Sequence, residues 1–142
     1  MNKDFLGVST QQLHNALQNT IRVFDEYRMN KKMHDAQTFR IYSTEDGGLF
    51  YLVKYFDVED GVQIRVTCGK LFGKITEVAA VNFITTFLSR LEQVFNGHIV
   101  LTADVANRDI YKSVDGLSAV GIILRLAIAI ITVIMGLLVL MR

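Results

Sequence analysis

The sequence is poor in cysteine and lacks an excess of charge of either sign. Cys68 is its only cysteine, so an intrachain disulfide is impossible and nothing requires an oxidising compartment. Residues 1–103 contain eleven Lys or Arg and eleven Asp or Glu residues, and a domain with balanced charge is a poor candidate for nucleic-acid binding. We therefore expect neither a disulfide framework nor a nucleic-acid partner.

Signals for export, metal binding and catalysis are also missing. Residues 1–5 include Lys3 but no apolar stretch after it, so we expect no secretory signal and a cytosolic domain. Two acidic pairs, at 45–46 and 59–60, fall in short hairpin loops, where turn formation explains them better than acid–base catalysis. The candidate metal ligands are scattered without a close pair at ligand spacing: His14, His34, Cys68 and His98. We expect no enzyme activity, no cofactor and no metal site.

The feature that stands out is a long apolar run near the C-terminus. Val120–Met141 comprises 22 residues with Arg125 as their only charge. A helix of this length covers about 33 Å, enough to cross a hydrocarbon core of about 30 Å. Arg125 lies near the N-terminal end of the run, where its long side chain reaches the lipid headgroups. The run predicts one transmembrane helix within residues 117–142.

Positive charge around this span predicts its orientation. Arg108, Lys112 and Arg125 precede or enter the span and only Arg142 follows it, which favours a cytoplasmic N-terminal domain. With a single residue after the span, we expect post-translational insertion in the tail-anchored manner. The chain is therefore expected to be a single-pass membrane protein whose domain faces the cytosol and whose span contacts membrane lipid.

Small and polar residues lie on one face of the predicted span. Small side chains let two helix backbones approach closely, and a threonine hydroxyl can form a hydrogen bond across the contact. These residues recur at spacings of three or four and predict helix–helix packing, with a second copy or with another protein: Gly121, Arg125, Ala129, Thr132 and Gly136.

The residues before the span predict a small two-layer α+β domain over 1–102. Ser9 and Gln12 form a capping-box pattern at the start of a first helix that we expect to end near Asn30. A second helix is predicted from Thr76 to Asn96, where Asn96-Gly97 is a C-terminal signal. Both helices place their apolar side chains on the same face of a sheet.

Three strands between the helices predict an antiparallel meander, at Thr38–Ser43, Leu49–Asp57 and Val62–Cys68, since short loops containing Asp-Gly join them. His98–Thr102 is a candidate short fourth strand, and residues 103–116 are predicted to be a polar linker. The order helix, meander, helix over residues 9–97 resembles small bacterial domains with a shortened helix-grip layout. No site residue follows from that resemblance.

The middle strand is apolar and aromatic on both faces, which predicts that its second face is covered as well. The candidate coverings are a partner protein, a second copy, the membrane surface, an apolar ligand, or residues 98–102 of the same chain. The residues predicted to form a partner-binding or ligand-binding face are Phe39, Phe50, Tyr51, Leu52, Tyr55 and Phe56.

A glycine- and lysine-containing segment between the last strand and the second helix is a candidate contact for an anion or a lipid headgroup. Three residues separate its glycines and Ile75 follows its last lysine, so it does not have the spacing of a nucleotide-binding P-loop. The residues concerned are Gly69, Lys70, Gly73 and Lys74.

These patterns predict a tail-anchored, non-enzymatic interaction or assembly subunit that binds a partner protein at the membrane surface. The alternative is a small module that binds lipid or another apolar ligand in a pocket lined by Phe39, Tyr51, Tyr55 and Phe83. A third hypothesis is a pore of oligomerised tails, in which Arg125 and Thr132 would face a lumen.

The predicted anchor can be tested by truncation. A chain that ends at Gly116 is expected to be soluble and folded, whereas the full chain is expected to sediment with membranes. The measurement is the distribution between membrane and supernatant in high salt. A truncated chain that still sediments would contradict the prediction.

Overall fold

The computed structural model describes residues 1–30, 37–45, 48–71 and 73–112. These residues form an α+β domain with a six-stranded sheet in the order β1-β5-β4-β3-β2-β6. Five of the strands are antiparallel neighbours, while the two-residue β6 pairs in parallel with β2. In chain order the elements are β1 (Asn2–Leu6), α1 (Thr10–Val23), β2 (Tyr27–Asn30), β3 (Thr38–Ser43), β4 (Leu49–Val58), β5 (Gly61–Lys70), α2 (Glu77–Phe95), α3 (Ala103–Ala106) and β6 (Tyr111–Lys112). The predicted α+β class is confirmed.

The start of the first helix is as predicted, but its end is not. The Gln12 backbone N–H donates to Ser9 Oγ over 3.3 Å, and the Ser9 N–H donates to Gln12 Oε1 over 2.9 Å, which completes the capping box. The expected end near Asn30 is wrong, because α1 ends at Val23 and residues 27–30 form β2. The side chains of 27–30 alternate between buried and half-buried, and antiparallel pairing with β3 prevails over continuation of the helix.

The three strands and the second helix that the sequence predicted are present. They lie at β3, β4 and β5 and at α2, and none of their ends differs from its prediction by more than two residues. The side chain of Thr76 accepts a hydrogen bond from the Ala79 N–H at the start of α2. Gly97 adopts a positive φ of 71° directly after the C-cap Asn96, as the Asn-Gly signal predicts.

An N-terminal strand, β1, was not predicted. Phe5 is its only buried residue, and the Phe5 ring packs edge-on against Phe95 of α2 with 5.4 Å between centroids. The Met1 ammonium group donates to the Val66 carbonyl over 2.8 Å. Since the strand has one buried residue, its sequence carries little of the alternation that marks β3 to β5.

Residues 98–112 also differ from the prediction. The candidate fourth strand at His98–Thr102 does not form, and Val100 there is exposed. The first part of the segment assigned to a linker instead forms α3 and β6, and Ile110 is buried in the core. The compact unit therefore extends to Lys112.

The core lies between the two long helices and one face of the sheet. Tyr27, Tyr51 and Phe87 form its aromatic centre, with ring centroids 4.9 to 5.9 Å apart. The fully buried aliphatic side chains around them come from both helices and from three strands: Leu13, Leu17, Ile21, Ile41, Leu49, Val53, Ile64 and Leu91. Burial of this apolar surface, at roughly 25 cal/mol per Å², is the main force that holds the two layers together.

Arg90 of α2 ties the helix layer to the turn between α1 and β2. Its guanidinium forms an ion pair with Glu26, donates to the Tyr27 hydroxyl over 2.6 Å and lies 4.6 Å from the centroid of the Phe24 ring. Burial raises the pKa of Tyr27 to about 12, so its hydroxyl stays protonated at neutral pH. These contacts anchor the turn at which the chain leaves α1 and enters β2.

The predicted span within 117–142 lies outside the described residues. Within the ranges that end at Lys112, the helices are too short or too polar to cross a bilayer.

The missed strand gives a stability test. Phe5→Ala is expected to lower the free energy of unfolding by about 3 kcal/mol, because it empties a buried aromatic position. Leu6→Ala is the control, since Leu6 is 72% exposed and its truncation should change stability by less than about 0.5 kcal/mol. Urea unfolding followed by tyrosine fluorescence measures both, and equal effects would contradict the assignment of Phe5 to the core.

Candidate functional site

The six residues predicted to form one face are divided between two faces of the sheet. Phe39, Tyr51 and Tyr55 point to the helices and are at most 4% exposed, so they belong to the core. The other three point away from both long helices and are half-buried: Phe50, Leu52 and Phe56. Alternation along β4 causes this division, because successive side chains of a strand lie on opposite faces.

We define the outer face as the sheet surface opposite α1 and α2. The strand register places its side chains in rows that cross the sheet. One row joins Phe50 to Gly69, the next runs from Arg40 through Leu52 to Thr67, and a third joins Lys54 to Arg65. Both long helices bury their apolar sides on the inner face, so neither covers this surface.

Cations lie over the aromatic rings of the outer face. The guanidinium carbon of Arg40 is 5.2 Å from the centroid of the Phe50 ring. Arg65 and Lys54 both approach Phe56, with distances of 4.7 and 5.5 Å from the guanidinium carbon and the ammonium nitrogen to the ring centroid. Such contacts contribute about 0.5–1 kcal/mol each at exposed sites and hold the long side chains close to the sheet. The outer face therefore combines apolar rings with cations in defined positions.

Gly69 leaves room for the tip of the Phe50 ring on the neighbouring strand. A Cβ atom at Gly69 would lie 2.9 Å from the Phe50 ring, closer than real contacts allow. Packing against Phe50 therefore explains the glycine at position 69, which is one of the four residues predicted to contact an anion. Lys70, Gly73 and Lys74 are exposed, and the anion contact itself stays a prediction.

A second group of aromatic residues surrounds His14 at the inner face. The His14 ring lies 4.7 Å from the Phe39 ring and 6.2 Å from the Tyr55 ring. His14 Nδ1 and the Tyr55 hydroxyl are buried without a hydrogen-bond partner, and burial raises the pKa of Tyr55 far above its usual value. The Gln18 side-chain nitrogen lies 3.0 Å from His14 Nε2, and burial lowers the pKa of His14, which favours the neutral ring.

Among the described residues, neither a grouped set of metal ligands nor an activated thiol is present. In residues 1–30, 37–45, 48–71 and 73–112, no three His, Cys, Asp or Glu side chains are grouped as metal ligands. Cys68 is half-buried on the inner face with Sγ 3.6 Å from the Ala80 carbonyl oxygen. Burial raises the pKa of its thiol, which disfavours the nucleophilic thiolate.

The residues predicted for helix packing in the membrane, Gly121 to Gly136, lie outside the described residues. Comparisons with protein-family models, curated proteins and solved structures found no match to this chain. The candidate site therefore rests on the geometry of the outer face alone.

Three cations of this site, Arg40, Lys54 and Arg65, were not singled out from the sequence. A signal for the positions of Lys54 and Arg65 was nevertheless present. Glu59 and Asp60 form the two-residue connection between β4 and β5, and such a short turn sets the register of both strands. Counting outward from that turn places Lys54 opposite Arg65. Arg40 is different, because five residues, 44–48, separate β3 from β4, and a longer connection does not set the register of two strands as a two-residue turn does.

The neutral state of His14 predicts a pH effect on stability. Burial lowers the pKa of His14 below its ordinary value of about 6.5, so the unfolded chain takes up this proton first as the pH falls. The contribution of His14 is fully present above pH 6.5 and is lost as the pH falls below it. His14→Gln should reduce the loss of stability between pH 7 and pH 5, whereas the exposed His98→Gln should not. Urea midpoints across this range measure the difference, and identical pH profiles would contradict the prediction.

Proposed function

We propose that this chain is a C-terminally anchored membrane protein whose cytosolic domain binds a partner protein through the outer face. It acts as a non-enzymatic interaction or assembly subunit at the membrane surface. The observation that carries the proposal is the outer face itself, where Phe50, Leu52 and Phe56 lie among cations on the side away from both long helices.

The composition of the outer face supports protein binding. Aromatic residues and arginine are enriched at protein interfaces, since both provide large contacts at a low cost in conformational entropy. The exposed side of α2 is different, because after Glu77 its exposed residues are uncharged. An interface on the sheet side therefore combines apolar area with charge, whereas after Glu77 the exposed residues of α2 are Val78, Val81 and uncharged polar residues.

The distribution of perturbed groups supports a non-enzymatic function. Among the described residues, raised or lowered pKa values belong to groups of the interior or the Arg90 contact, such as His14, Tyr27 and Tyr55. Burial explains these shifts, and the groups lie on the helix side of the sheet. Catalytic sites usually collect such groups in an accessible cleft.

The predicted anchor would hold the domain close to the membrane. Seven residues separate β6 from Val120, the first residue of the predicted span. Fully extended, they reach about 25 Å. A partner of this domain would therefore be a membrane protein or a protein that works at the membrane surface.

The apolar-ligand alternative receives less support. Three of the four residues proposed to line its pocket contact other rings of the core, with the Phe39 and Tyr55 centroids 5.2 Å apart and the Tyr51 ring stacked on Phe87. Ring contacts of this kind fill space that a ligand would need.

Purification of the full chain from its native membranes in mild detergent tests the proposal. The chain is expected to carry a stoichiometric partner, which is identified by sizing and mass spectrometry. Leu52→Asn on the outer face should release the partner, because it places a polar amide in the apolar centre of the interface. Val81→Asn is the matched control, since Val81 is 45% exposed on α2.

Both variants must keep the thermal midpoint of the parent within a few degrees, so that loss of the partner reports the interface and not unfolding. A clean monomer without a companion would count against the proposal. Equal retention by the two variants would also overturn it.

A further inference from the structure

The outer face is predominantly cationic although the domain as a whole is balanced. Among its described strand residues the only acid is Asp4, which accepts a hydrogen bond from the Gln63 side chain over 2.8 Å. The cations are Arg28, Arg40, Lys54 and Arg65. Arg28 donates to two backbone carbonyl groups. The ion pairs found between described residues involve none of the other three cations.

Two of these cations face each other directly. Lys54 and Arg65 are cross-strand partners in the β4–β5 register, and Arg40 lies diagonally from Lys54, beside Leu52. Like charges directly opposite each other destabilise a sheet. The Phe56 ring, which both cations approach, offsets part of this repulsion. The domain therefore retains a repulsive pair that an anionic group from outside would relieve.

We propose that the partner binds through an acidic segment whose carboxylates lie against Arg40, Lys54 and Arg65. This inference rests on the proposed function, because it names the chemistry of the partner for the same face. Arginine forms paired hydrogen bonds with carboxylates, and the ring contacts already hold these side chains near the sheet. Little side-chain entropy is then lost when the segment binds.

The shape of the charged region favours a narrow occupant. The three cations lie on β3, β4 and β5, which together span about 10 Å, the width of one helix or one extended chain. Glu59 and Asp60 form the turn between β4 and β5 and are exposed. A flat anionic bilayer would place phosphates against these acids, whereas a single polypeptide segment avoids them.

Apolar side chains on the outer face indicate what else the segment carries. Leu52 lies in the row next to the Lys54–Arg65 pair and is half-buried, as are Phe50 and Phe56. A segment of carboxylates alone would leave this apolar surface in water. The fitting partner is therefore an amphipathic segment that carries acidic and apolar residues on one face.

The test uses the full chain in phosphatidylcholine nanodiscs and a synthetic amphipathic peptide of Glu and Leu. A peptide of about 16 residues extends about 24 Å as a helix, comparable with the outer face along β4. A second peptide replaces every Glu with Gln. Fluorescence anisotropy should show at least about tenfold tighter binding of the Glu peptide, because one charge-assisted contact corresponds to about that factor.

Lys54→Glu separates binding from folding. It should weaken binding of the Glu peptide about tenfold or more, yet raise the Tm of the chain by about 2–5 °C, because a Glu–Arg pair replaces the repulsive one. Lys74→Glu makes the same change of charge at an exposed position between β5 and α2. It should change peptide affinity by less than about twofold, given the screening of distant surface charges.

Several results would overturn the inference. These are undetectable binding of the Glu peptide, equal affinity for the Gln peptide, and equal effects of Lys54→Glu and Lys74→Glu. The same chain in nanodiscs that contain phosphatidylserine provides a further comparison. If this lipid protects Lys54 from an acylating reagent and the peptide does not, the face is assigned to lipid instead.

The inference and the proposed function fail in different ways. If the partner from native membranes is lost from Leu52→Asn but kept by Lys54→Glu, the face binds protein without using its charge. The proposed function then stands and the inference is wrong. If Leu52→Asn also keeps the partner, the proposed function itself is wrong.

Discussion

The pairing of β4 with β5 is the interaction on which the rest of the domain depends. Ten residue pairs join the two strands, from Leu49–Lys70 to Val58–Gly61. This register decides which side chains of β4 face the helices and which face outward, since a shift by one residue would exchange the two faces. The core under α1 and α2, the seat of the Phe50 ring and the Lys54–Arg65 pair all follow from it.

The side chains on the two faces of β4 differ in burial. The inner residues are buried under two helices, so they contribute to stability in proportion to the apolar area they remove from water. On the outer side, Phe50, Leu52 and Phe56 are only half-buried, and cations lie over the two phenylalanine rings. One side of this apolar strand is therefore part of the core, and the other side is part of the protein surface. The second side is where a function in binding is proposed.

Much of the fold could be predicted because its signals are local. The cap at Ser9, the alternation along β5 and the Asn96-Gly97 end of α2 each depend on a few neighbouring residues. The strand β2 could not be predicted, since Tyr27 continues the helical spacing of α1. Residues 27–30 form a strand because they pair with β3 and because Arg90 contacts Tyr27. Arg90 lies 63 residues further along the chain than Tyr27.

By itself, the sequence determined the α+β class, the meander with both helices on one side of it, and the apolar run at the C-terminus from which an anchor is predicted. Only the tertiary structure decided that Phe39, Tyr51 and Tyr55 are core while Phe50, Leu52 and Phe56 are surface. It also decided that β1 completes one edge of the sheet. The reason is that caps and short turns are set by adjacent residues, whereas burial and edge pairing depend on segments that meet only when the chain has folded.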